Sequence, residues 1–276
     1  MNSFRGTKTE KSLNGEQDAR SPTLSHHSTE ATGRPIREQK VSVVIPARNE
    51  EKCLPYVLKR LPDWIYEVIL VDGMSTDQTN EVARLHLPSI RIVSQPGKGK
   101  GDALREGFRQ CTGDVIVALD ADGSMDPAEI AALVAPLRTD FDYAKGSRMM
   151  RGGGSVDLTL FRRMGNWMLG TLTNILHGSH YTDLCYGYFA FRREVLPVLN
   201  LKSDGFEIET EINIKARKAR LRIIEVPSHE SDRLYGESNL KPLRDGLRVL
   251  WTIIRERLRP VEDGLWEDAS VPVDGD

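Results

Sequence analysis

The sequence predicts an α/β fold in which helices flank a mostly parallel β-sheet within a single large domain. Three observations support this prediction. Apolar, strand-like runs recur at residues 41–47, 67–72 and 114–122, segments with helical spacing separate them, and no apolar stretch is typical of a membrane span. Strands that alternate with helices are joined by right-handed crossovers and therefore lie parallel to one another.

The first half of the predicted domain repeats a strand–helix unit. VSVVIPA opens it as a strand buried on both faces, and Leu54, Val57 and Leu58 follow at helical spacing. EVILVD and IRIVSQ predict two further strands around the helix TDQTNEVARLHL. The loop PGKGKG then leads to the helix DALREGFRQC and to the strand DVIVALDAD. Pro127 suits the first turn of the next helix, PAEIAALVAPL.

The second half departs from this alternation after FDYAKGSR (residues 141–148), where the glycine-rich segment RGGGS follows. Strands are predicted at residues 186–193 and 221–227, on either side of the helix GFEIETEINIKARKA. Long helices are predicted at residues 160–176 and 240–258. The domain is therefore expected to span residues 41–260.

The two ends of the chain differ in composition from this domain. Residues 1–40 are rich in Ser, Thr, Lys, Glu and Gly, and residues 261–276 are acidic, so both are expected to be disordered tails. The 276 residues include 38 Lys and Arg against 40 Asp and Glu, and this balance argues against nucleic acid as a partner. Three cysteines lie far apart in sequence, which indicates reduced thiols and a cytoplasmic protein.

Polar residues follow three of the predicted strands. Arg48 and Glu50 follow the first strand, Asp72 ends the second, and Asp120 and Asp122 lie at the end of the fourth. Ligands of open parallel sheets bind beyond the carboxyl ends of the strands, so these side chains are expected to line one site. Neither GxGxxG after the first strand nor GxxxxGK[ST] is present, which disfavours a dinucleotide fold and a P-loop.

Asp120 and Asp122 are the strongest candidates for a metal site. Alternate residues that leave a strand point to the same side and present two carboxylates together. Carboxylate oxygens suit Mg²⁺ or Mn²⁺, and such an ion would neutralise a leaving diphosphate. The alternative is a solvated acidic turn that caps the next helix. The buried strand before the pair favours the metal site.

The motifs PARNEE, LVDGMSTDQT, LDADGS, KGSR and DRLYGES, in this order, resemble those of an inverting family 2 glycosyltransferase with the Rossmann-like GT-A fold. The resemblance extends from about Val41 to Leu258. It is closest to the dolichyl- or polyprenyl-phosphate mannose synthases and their glucosyl relatives. Gly73 and Met74 stand where the family commonly carries another aspartate, which leaves the donor open between GDP-mannose and UDP-glucose.

The resemblance implies a role for each matching residue. Pro46, Arg48 and Glu50 would hold the base and ribose of the nucleotide, Val71 and Asp72 would continue that wall, and Asp120, Ala121 and Asp122 would bind the metal and the diphosphate. Arg148 and Arg233 would meet the diphosphate or an acceptor phosphate, since guanidinium binds phosphate through two N–H groups. Asp183 resembles an acidic residue near the acceptor, with a loop cap as the alternative.

Lys100 and Glu209 are further candidates. The loop at residues 97–101 either cradles phosphate with its backbone N–H groups and Lys100 or is a flexible connection. Glu207, Glu209 and Glu211 alternate on a predicted helix, so at least one of them is expected to face solvent.

The expected activity is transfer of a hexose, with inversion, from a nucleotide diphosphate sugar to a polyprenyl or dolichyl phosphate. A phosphomonoester is largely ionised at neutral pH and needs no strong general base. In the closest alternative the acceptor is a hydroxyl of a small molecule or glycan, and Asp183 or Glu209 acts as the base. The distant alternative is a catalytically silent nucleotide-binding or membrane-association module, against which the intact Asp120 and Asp122 argue.

The helices at residues 160–176 and 240–258 combine apolar faces with arginines. One interpretation is peripheral contact with an anionic membrane, at its cytoplasmic face, or with a membrane partner. The other is that these faces pack on the core of the protein itself.

Overall fold

The computed structural model describes residues 39–236 and 240–259, so most of both predicted tails lies outside the described residues. The strands are β1 Val41–Ala47, β2 Glu67–Asp72, β3 Arg91–Ser94, β4 Val115–Ala118, β5 Tyr143–Ser147, β6 Gly154–Ser155, β7 Phe189–Arg192, β8 Ile223–Pro227 and β9 His229–Glu230. The α-helices are α1 Leu54–Lys59, α2 Thr79–His86, α3 Lys100–Gln110, α4 Ile130–Val134, α5 Leu160–His177, α6 Leu196–Leu199, α7 Ile208–Lys218 and α8 Pro242–Leu258.

Seven of these strands form one sheet in the order β3-β2-β1-β4-β7-β5-β8. β1 pairs in parallel with β2 and β4, and β7 runs antiparallel to β4 and β5. β6 and β9 form a separate two-stranded ribbon. The structure confirms the predicted α/β class with a mostly parallel sheet. The register pairs Ala47 with Asp72, so β1 and β2 end side by side.

Apolar clusters cover both faces of this sheet. Val43 and Ile45 pack with Leu54 and Val57 of α1 on one face, and Val44 packs with residues of α3 and α7 on the other. Burial on both faces explains why β1 is a continuous apolar run rather than an alternating one. The sheet therefore provides a rigid base for the loops at its carboxyl edge.

Several predicted elements are shorter in the structure. β4 ends at Ala118, so Asp120 and Asp122 lie in the turn that follows the strand. The segment PAEIAALVAPL divides into α4 and two flanking 3₁₀ turns, Pro127–Glu129 and Ala135–Arg138. Pro136 explains the second break, because proline cannot donate the hydrogen bond that would continue an α-helix.

α5 and α8 are the two longest helices among the described residues, and they pack on each other and on α7. Val249 and Ile253 of α8 form part of a small apolar core with Ile214 of α7, against which Leu169 and Leu172 of α5 also pack. Within residues 39–236 and 240–259, no helix combines the length and the apolar character needed to cross a membrane.

Candidate active site

A cavity of about 390 Å³ opens at the carboxyl edge of the sheet. Pro46 at the end of β1, Met74 after β2 and Asp120 after β4 contribute to its wall. The start of α3, the residues before α7 and the first turns of α8 complete it. This volume is typical of a small-molecule site, and its position is the one that parallel sheets use for ligands.

Lys100, Asp120 and Glu209 form an ion cluster at this cavity, hereafter the cavity cluster. The ammonium Nζ of Lys100 lies 2.8 Å from both carboxylate oxygens of Asp120 and 2.8 Å from Oε1 of Glu209. Burial raises the pKa of Asp120 to about 6, although Lys100 opposes that change. Burial disfavours the charged form of Lys100, but the two carboxylates outweigh it and raise the pKa of the ammonium.

The cavity cluster depends on a glycine. A Cβ atom at Gly187 would lie 2.6 Å from Nζ of Lys100 and would also collide with the carboxylate of Glu209. Only a residue without a side chain lets these two groups meet beside β7.

A second set of charged groups ties residues 232–236, the described part of the DRLYGES motif, to the cavity. The guanidinium of Arg233 binds the carboxylate of Glu50, and its Nη1 lies 3.6 Å from Oδ2 of Asp122. The backbone N–H of Leu234 donates to the carbonyl oxygen of Asp122 at 3.2 Å. Burial raises the pKa of Glu50, and the neighbouring Arg233 limits the increase.

The residues present fit a divalent cation with few protein ligands. One oxygen of Asp122, Oδ1, accepts hydrogen bonds from the backbone N–H and the hydroxyl of Ser124 at 3.0 and 2.8 Å. The other oxygen, Oδ2, accepts no hydrogen bond from the described residues, and its ion-pair partner Arg233 lies 3.6 Å away. No group of three or more His, Cys, Asp or Glu side chains suited to a metal occurs in the described part of the chain. Mg²⁺ needs only one or two carboxylates when substrate phosphates and water supply its remaining ligands.

Positive charge predominates on the cavity wall. Its carboxylates are Glu50, Asp120, Asp122 and Asp245, and its cations are Arg48, Lys98, Lys100, Arg233, Lys241, Arg244 and Arg248. Lys100 and Arg233 bind carboxylates, whereas the other five cations form no ion pair within residues 39–236 and 240–259. The wall therefore carries more positive charge than its own acids neutralise.

Two backbone N–H groups at the start of α3 are bound to another part of the protein. The N–H groups of Gly101 and Asp102 donate to the carbonyl oxygen of Asp204 at 2.8 and 3.2 Å. Gly99 has a φ of 97°, and a side chain there would collide with the same carbonyl. The phosphate cradle, one of the two alternatives for this loop, is therefore not found at Gly101 and Asp102, whereas Lys98 and Lys100 line the cavity.

Arg148 and Asp183 lie together in a buried cluster that does not line the cavity. Nε and Nη2 of Arg148 donate to Asp183 at 2.7 and 3.0 Å, and Nη1 donates to Glu230 at 3.0 Å. Asn166 donates to the same Asp183 carboxylate. Arg148 also lies over the ring of Tyr186, 4.5 Å from its centroid. Burial alone would raise the pKa of Asp183, but Arg148 holds it below its ordinary value.

The predicted site residues thus separate into two groups. The cavity wall includes eight of them: Pro46, Arg48, Glu50, Lys100, Asp120, Ala121, Asp122 and Arg233. Glu209 reaches this group through Lys100. Val71 is fully buried, and the carboxylate of Asp72 accepts from the backbone N–H of Ser75 and from Asn80. Val71, Asp72, Arg148 and Asp183 are therefore not among the residues that line the cavity.

Several cavity residues were not predicted for this site. Arg244 and Arg248 are one helical turn apart on α8, a helix for which the sequence leaves open a membrane or partner surface and packing on the core of the protein. Gln95 after β3 and Phe206 before α7 also line the cavity. The spacing of Arg244 and Arg248 shows that they share a helix face, but no local pattern indicates which part of the sheet that face meets.

Residues 42–199 match the family described as Glycosyl transferase family 2. The undecaprenyl-phosphate mannosyltransferase of Micrococcus luteus is 32% identical over 241 residues, which cover 79% of this chain and 99% of that protein. The dolichol-phosphate mannosyltransferase of Pyrococcus furiosus is 33% identical over 213 residues, which cover 73% of this chain and 59% of that protein. The family match alone runs from β1 to the end of α6.

Solved structures show the same architecture. Glucosyl-3-phosphoglycerate synthase of Mycobacterium tuberculosis in complex with UDP is 26% identical, with a TM-score of 0.63, and the match covers 80% of this chain and 81% of that one. The same synthase in complex with Mn²⁺, UDP and glucosyl-3-phosphoglycerate is 25% identical, also with a TM-score of 0.63 and the same coverage. These matches extend the similarity from the sequence to the three-dimensional arrangement of the sheet and its helices.

Proposed function

This chain belongs to glycosyl transferase family 2, and we propose that it transfers a hexose from a nucleoside diphosphate sugar to a polyprenyl phosphate with inversion. Residues 41–260 would form the transferase domain. The names of the two mannosyltransferase relatives favour a mannosyl donor, and the UDP complexes of the synthase keep a UDP-sugar as the alternative.

The observation that carries the proposal is the unpaired positive charge of the cavity wall. A nucleoside diphosphate sugar brings about two negative charges, which a divalent cation at Asp122 would balance. Arg48, Lys98, Lys241, Arg244 and Arg248 would still have no anionic partner. A phosphomonoester acceptor carries a charge of about −1.5 to −2 at neutral pH and would supply that partner. A neutral hydroxyl acceptor would leave these cations unmatched.

The transfer itself needs no strong base in this scheme. An oxygen of the acceptor phosphate attacks the anomeric carbon and forms the new C–O bond, while the bond from that carbon to the diphosphate breaks. The electron pair of the broken bond leaves with the nucleoside diphosphate. Because the attacking oxygen is already ionised, no proton has to be removed from it. Glu209, held by Lys100, is not required as a base.

The residues of this chain would bind and shield the reacting groups. Asp122, with Asp120 beside it, would hold Mg²⁺ or Mn²⁺, whose chemistry is to neutralise the leaving diphosphate. Arg233 links residues 232–236 to Glu50 and would keep them over the donor, where they would limit access of water. The α8 cations would orient the acceptor phosphate toward the anomeric carbon.

A donor panel with a matched variant tests the proposal. GDP-mannose and UDP-glucose are supplied with and without a short, detergent-dispersed polyprenyl phosphate, and both nucleoside diphosphate release and sugar extracted into organic solvent are measured. We expect release to depend on the lipid phosphate. Arg244→Gln should raise the KM for the lipid phosphate about tenfold, whereas Arg84→Gln, an exposed arginine on α2 away from the cavity, should leave it unchanged.

The other results each favour a different function. Transfer to a neutral sugar hydroxyl at the same rate as to the lipid phosphate would support the hydroxyl acceptor instead. Nucleotide binding without hydrolysis or transfer for any donor, with Mg²⁺ or Mn²⁺ present, would support a silent binding module.

A further inference from the structure

Gln95, the residue that follows β3, carries a side-chain amide that is held in one orientation. Its Nε2 donates to the carbonyl oxygen of Gly99 at 2.8 Å. A carbonyl oxygen can only accept, so the group that meets Gly99 must be the NH₂ of the amide, and Oε1 takes the other position. Oε1 accepts no hydrogen bond from residues 39–236 and 240–259. Gln95 therefore brings a hydrogen-bond acceptor without a described partner to the cavity wall.

Gly73 leaves the space in which Oε1 of Gln95 lies. A Cβ atom at Gly73 would lie 3.1 Å from Oε1 and 3.3 Å from Cβ of Arg48, both closer than such atoms ordinarily approach. Gly73, Arg48 and Met74 all line the cavity, and the apolar side chain of Met74 is 50% exposed. An acceptor, a cation that has no ion pair among the described residues and an apolar side chain thus meet where β1, β2 and β3 end.

The order of the strands places this group at one end of the cavity and the candidate metal site at the other. Asp122 follows β4, and β1 and β2 lie between β4 and β3. Three strand spacings of about 4.8 Å separate β4 from β3, or about 14 Å across the sheet. A nucleoside diphosphate held by its phosphates at Asp122 is long enough to bring its base to the end of β3. This step rests on the nucleoside diphosphate donor of the proposed function.

Nucleotide bases differ in what they offer to a single acceptor. Uracil and guanine carry a ring N–H group beside a carbonyl group, whereas cytosine and adenine carry an unprotonated ring nitrogen beside an amino group. A ring N–H would donate to Oε1 of Gln95, and Arg48 would donate to the neighbouring carbonyl oxygen. With the ring held by the ribose and the phosphates, an unprotonated nitrogen at the same position would face the lone pairs of Oε1. Because Gln95 is only 8% exposed, this mismatch would leave a nearly buried acceptor without a donor.

We propose that Gln95 recognises the base of the donor and restricts it to bases with a ring N–H beside a carbonyl group. The acceptor is a neutral amide that follows β3, because the carboxylate of Asp72 at the end of β2 already accepts from Ser75 and Asn80. The contact with Gly99 fixes the position of Oε1 before the nucleotide binds. Donors that carry uracil or guanine are accepted, and donors that carry cytosine or adenine are rejected.

Binding of free nucleotides tests the proposal without any sugar transfer. The affinities of the full chain for UDP and CDP, and for GDP and ADP, are measured by calorimetry with Mg²⁺ present. Within each pair the rings have the same size and different hydrogen-bonding groups, so the ratio of the two affinities reports on the base alone. For the ring size that the protein binds, we expect the base with the ring N–H to bind at least about tenfold more tightly.

Two variants and a matched control assign this ratio to Gln95. Gln95→Met removes the acceptor and keeps an unbranched side chain, so the two affinities should become equal within about twofold. Gly73→Ala keeps the contact between Gln95 and Gly99 but presses on Oε1, so it should lower the ratio by a smaller factor. Gln110→Met removes an amide that binds Glu106 at the far end of α3, outside the cavity wall, and should keep the wild-type ratio.

The outcomes distinguish this proposal from the proposed function. Equal affinities within both pairs in the wild type would overturn base recognition and leave the nucleoside diphosphate donor intact. A wild-type ratio in both Gln95→Met and Gly73→Ala, even with weaker binding of every nucleotide, would show that Gln95 only supports the loop at residues 97–101 and would also overturn the proposal. Absence of binding by all four nucleotides would overturn the donor as well. Thermal melting of each variant establishes that it is folded.

Discussion

The cavity cluster and the buried cluster each hold one cation between two carboxylates, yet only the first meets the cavity. Lys100 lies between Asp120 and Glu209, and Arg148 lies between Asp183 and Glu230. The Asp120 side chain is 25% exposed and Asp183 is fully buried. Residue type alone therefore does not distinguish a charged group that lines the cavity from one that is buried in the fold.

The pKa values of the two aspartates also shift in opposite directions. Burial raises the pKa of Asp120 to about 6, and the nearby Asp122 and Glu209 carboxylates add to the rise. At Asp183, burial is outweighed by hydrogen bonds and charge from Arg148, and the pKa is lowered. Asp120 would gain from an additional cation, whereas the oxygens of Asp183 are already supplied with donors. The two clusters thus have the same formal charge but differ in how well neighbouring groups stabilise the ionised aspartate.

The largest expected effect is a loss of transfer rate when the proposed metal site in the cavity is changed. Asp122→Asn removes a carboxylate that would bind the metal and should lower the transfer rate by about 10³-fold, or about 4 kcal/mol, with an unchanged melting temperature. Steady-state release of nucleoside diphosphate measures it. Asp140→Asn, at an aspartate 90% exposed, is the control and should be fully active. Full activity of Asp122→Asn, or of the wild type in EDTA, would contradict a metal at this site.

A substitution in the buried cluster of Arg148, Asp183 and Glu230 should instead lower the stability of the protein. Asp183→Asn leaves the Arg148 guanidinium buried without its main partner and should lower the free energy of unfolding by about 3–5 kcal/mol. Denaturant titration measures the change. Asp157→Asn breaks a more exposed pair with Arg162 and should cost below about 1 kcal/mol. A variant Asp183→Asn that keeps wild-type stability but loses activity would show that the buried cluster serves the reaction.

Gly187→Ala tests whether the cavity cluster acts as an assembled unit. The added methyl group displaces the ends of Lys100 and Glu209, which are flexible, so activity should fall about tenfold while stability changes little. Gly165→Ala on α5, where an added methyl meets nothing within 4 Å, is the control. Equal kcat/KM for both variants and the wild type would mean that the Lys100–Glu209 contact is dispensable.

The smallest expected effect is the pH dependence of stability. Because the pKa of Asp183 is lowered in the folded state, its contribution is present above the unfolded value of about 3.9 and is lost as pH falls through the folded pKa. The difference in melting temperature between wild type and Asp183→Asn should therefore shrink from pH 7 to pH 3. A difference between wild type and Asp183→Asn that is constant from pH 7 to pH 3 would contradict the lowered pKa of Asp183.

The raised pKa of Asp120 has the opposite effect on stability. In EDTA, ionisation of this group should lower the stability of the protein as pH rises from 4 to 6.

The sheet and the centre of the cavity follow from short stretches of the sequence. Apolar runs such as VSVVIPA specify buried strands locally, and the carboxyl ends of parallel strands meet at one edge. Arg48, Glu50, Asp120 and Asp122 could therefore be assigned to one cavity from their positions in the chain, and the DRLYGES motif added Arg233. The structure places these five residues on one cavity wall. Asp72, which the same strand-end argument assigned to the site, does not line the cavity, and its carboxylate accepts from the backbone N–H of Ser75 and from Asn80.

The packing of distant elements determines which charged groups line the cavity and which face of each long helix is covered. The partners of Arg148 are 35 and 82 residues away in sequence, so no local pattern shows that Asp183 and Glu230 enclose it. Helical periodicity likewise shows that α8 has apolar and basic faces, but not that Arg244 meets the cavity while Trp251 stays exposed. Burial and ion pairing are set by the relative positions of distant elements, and only the folded chain specifies those positions.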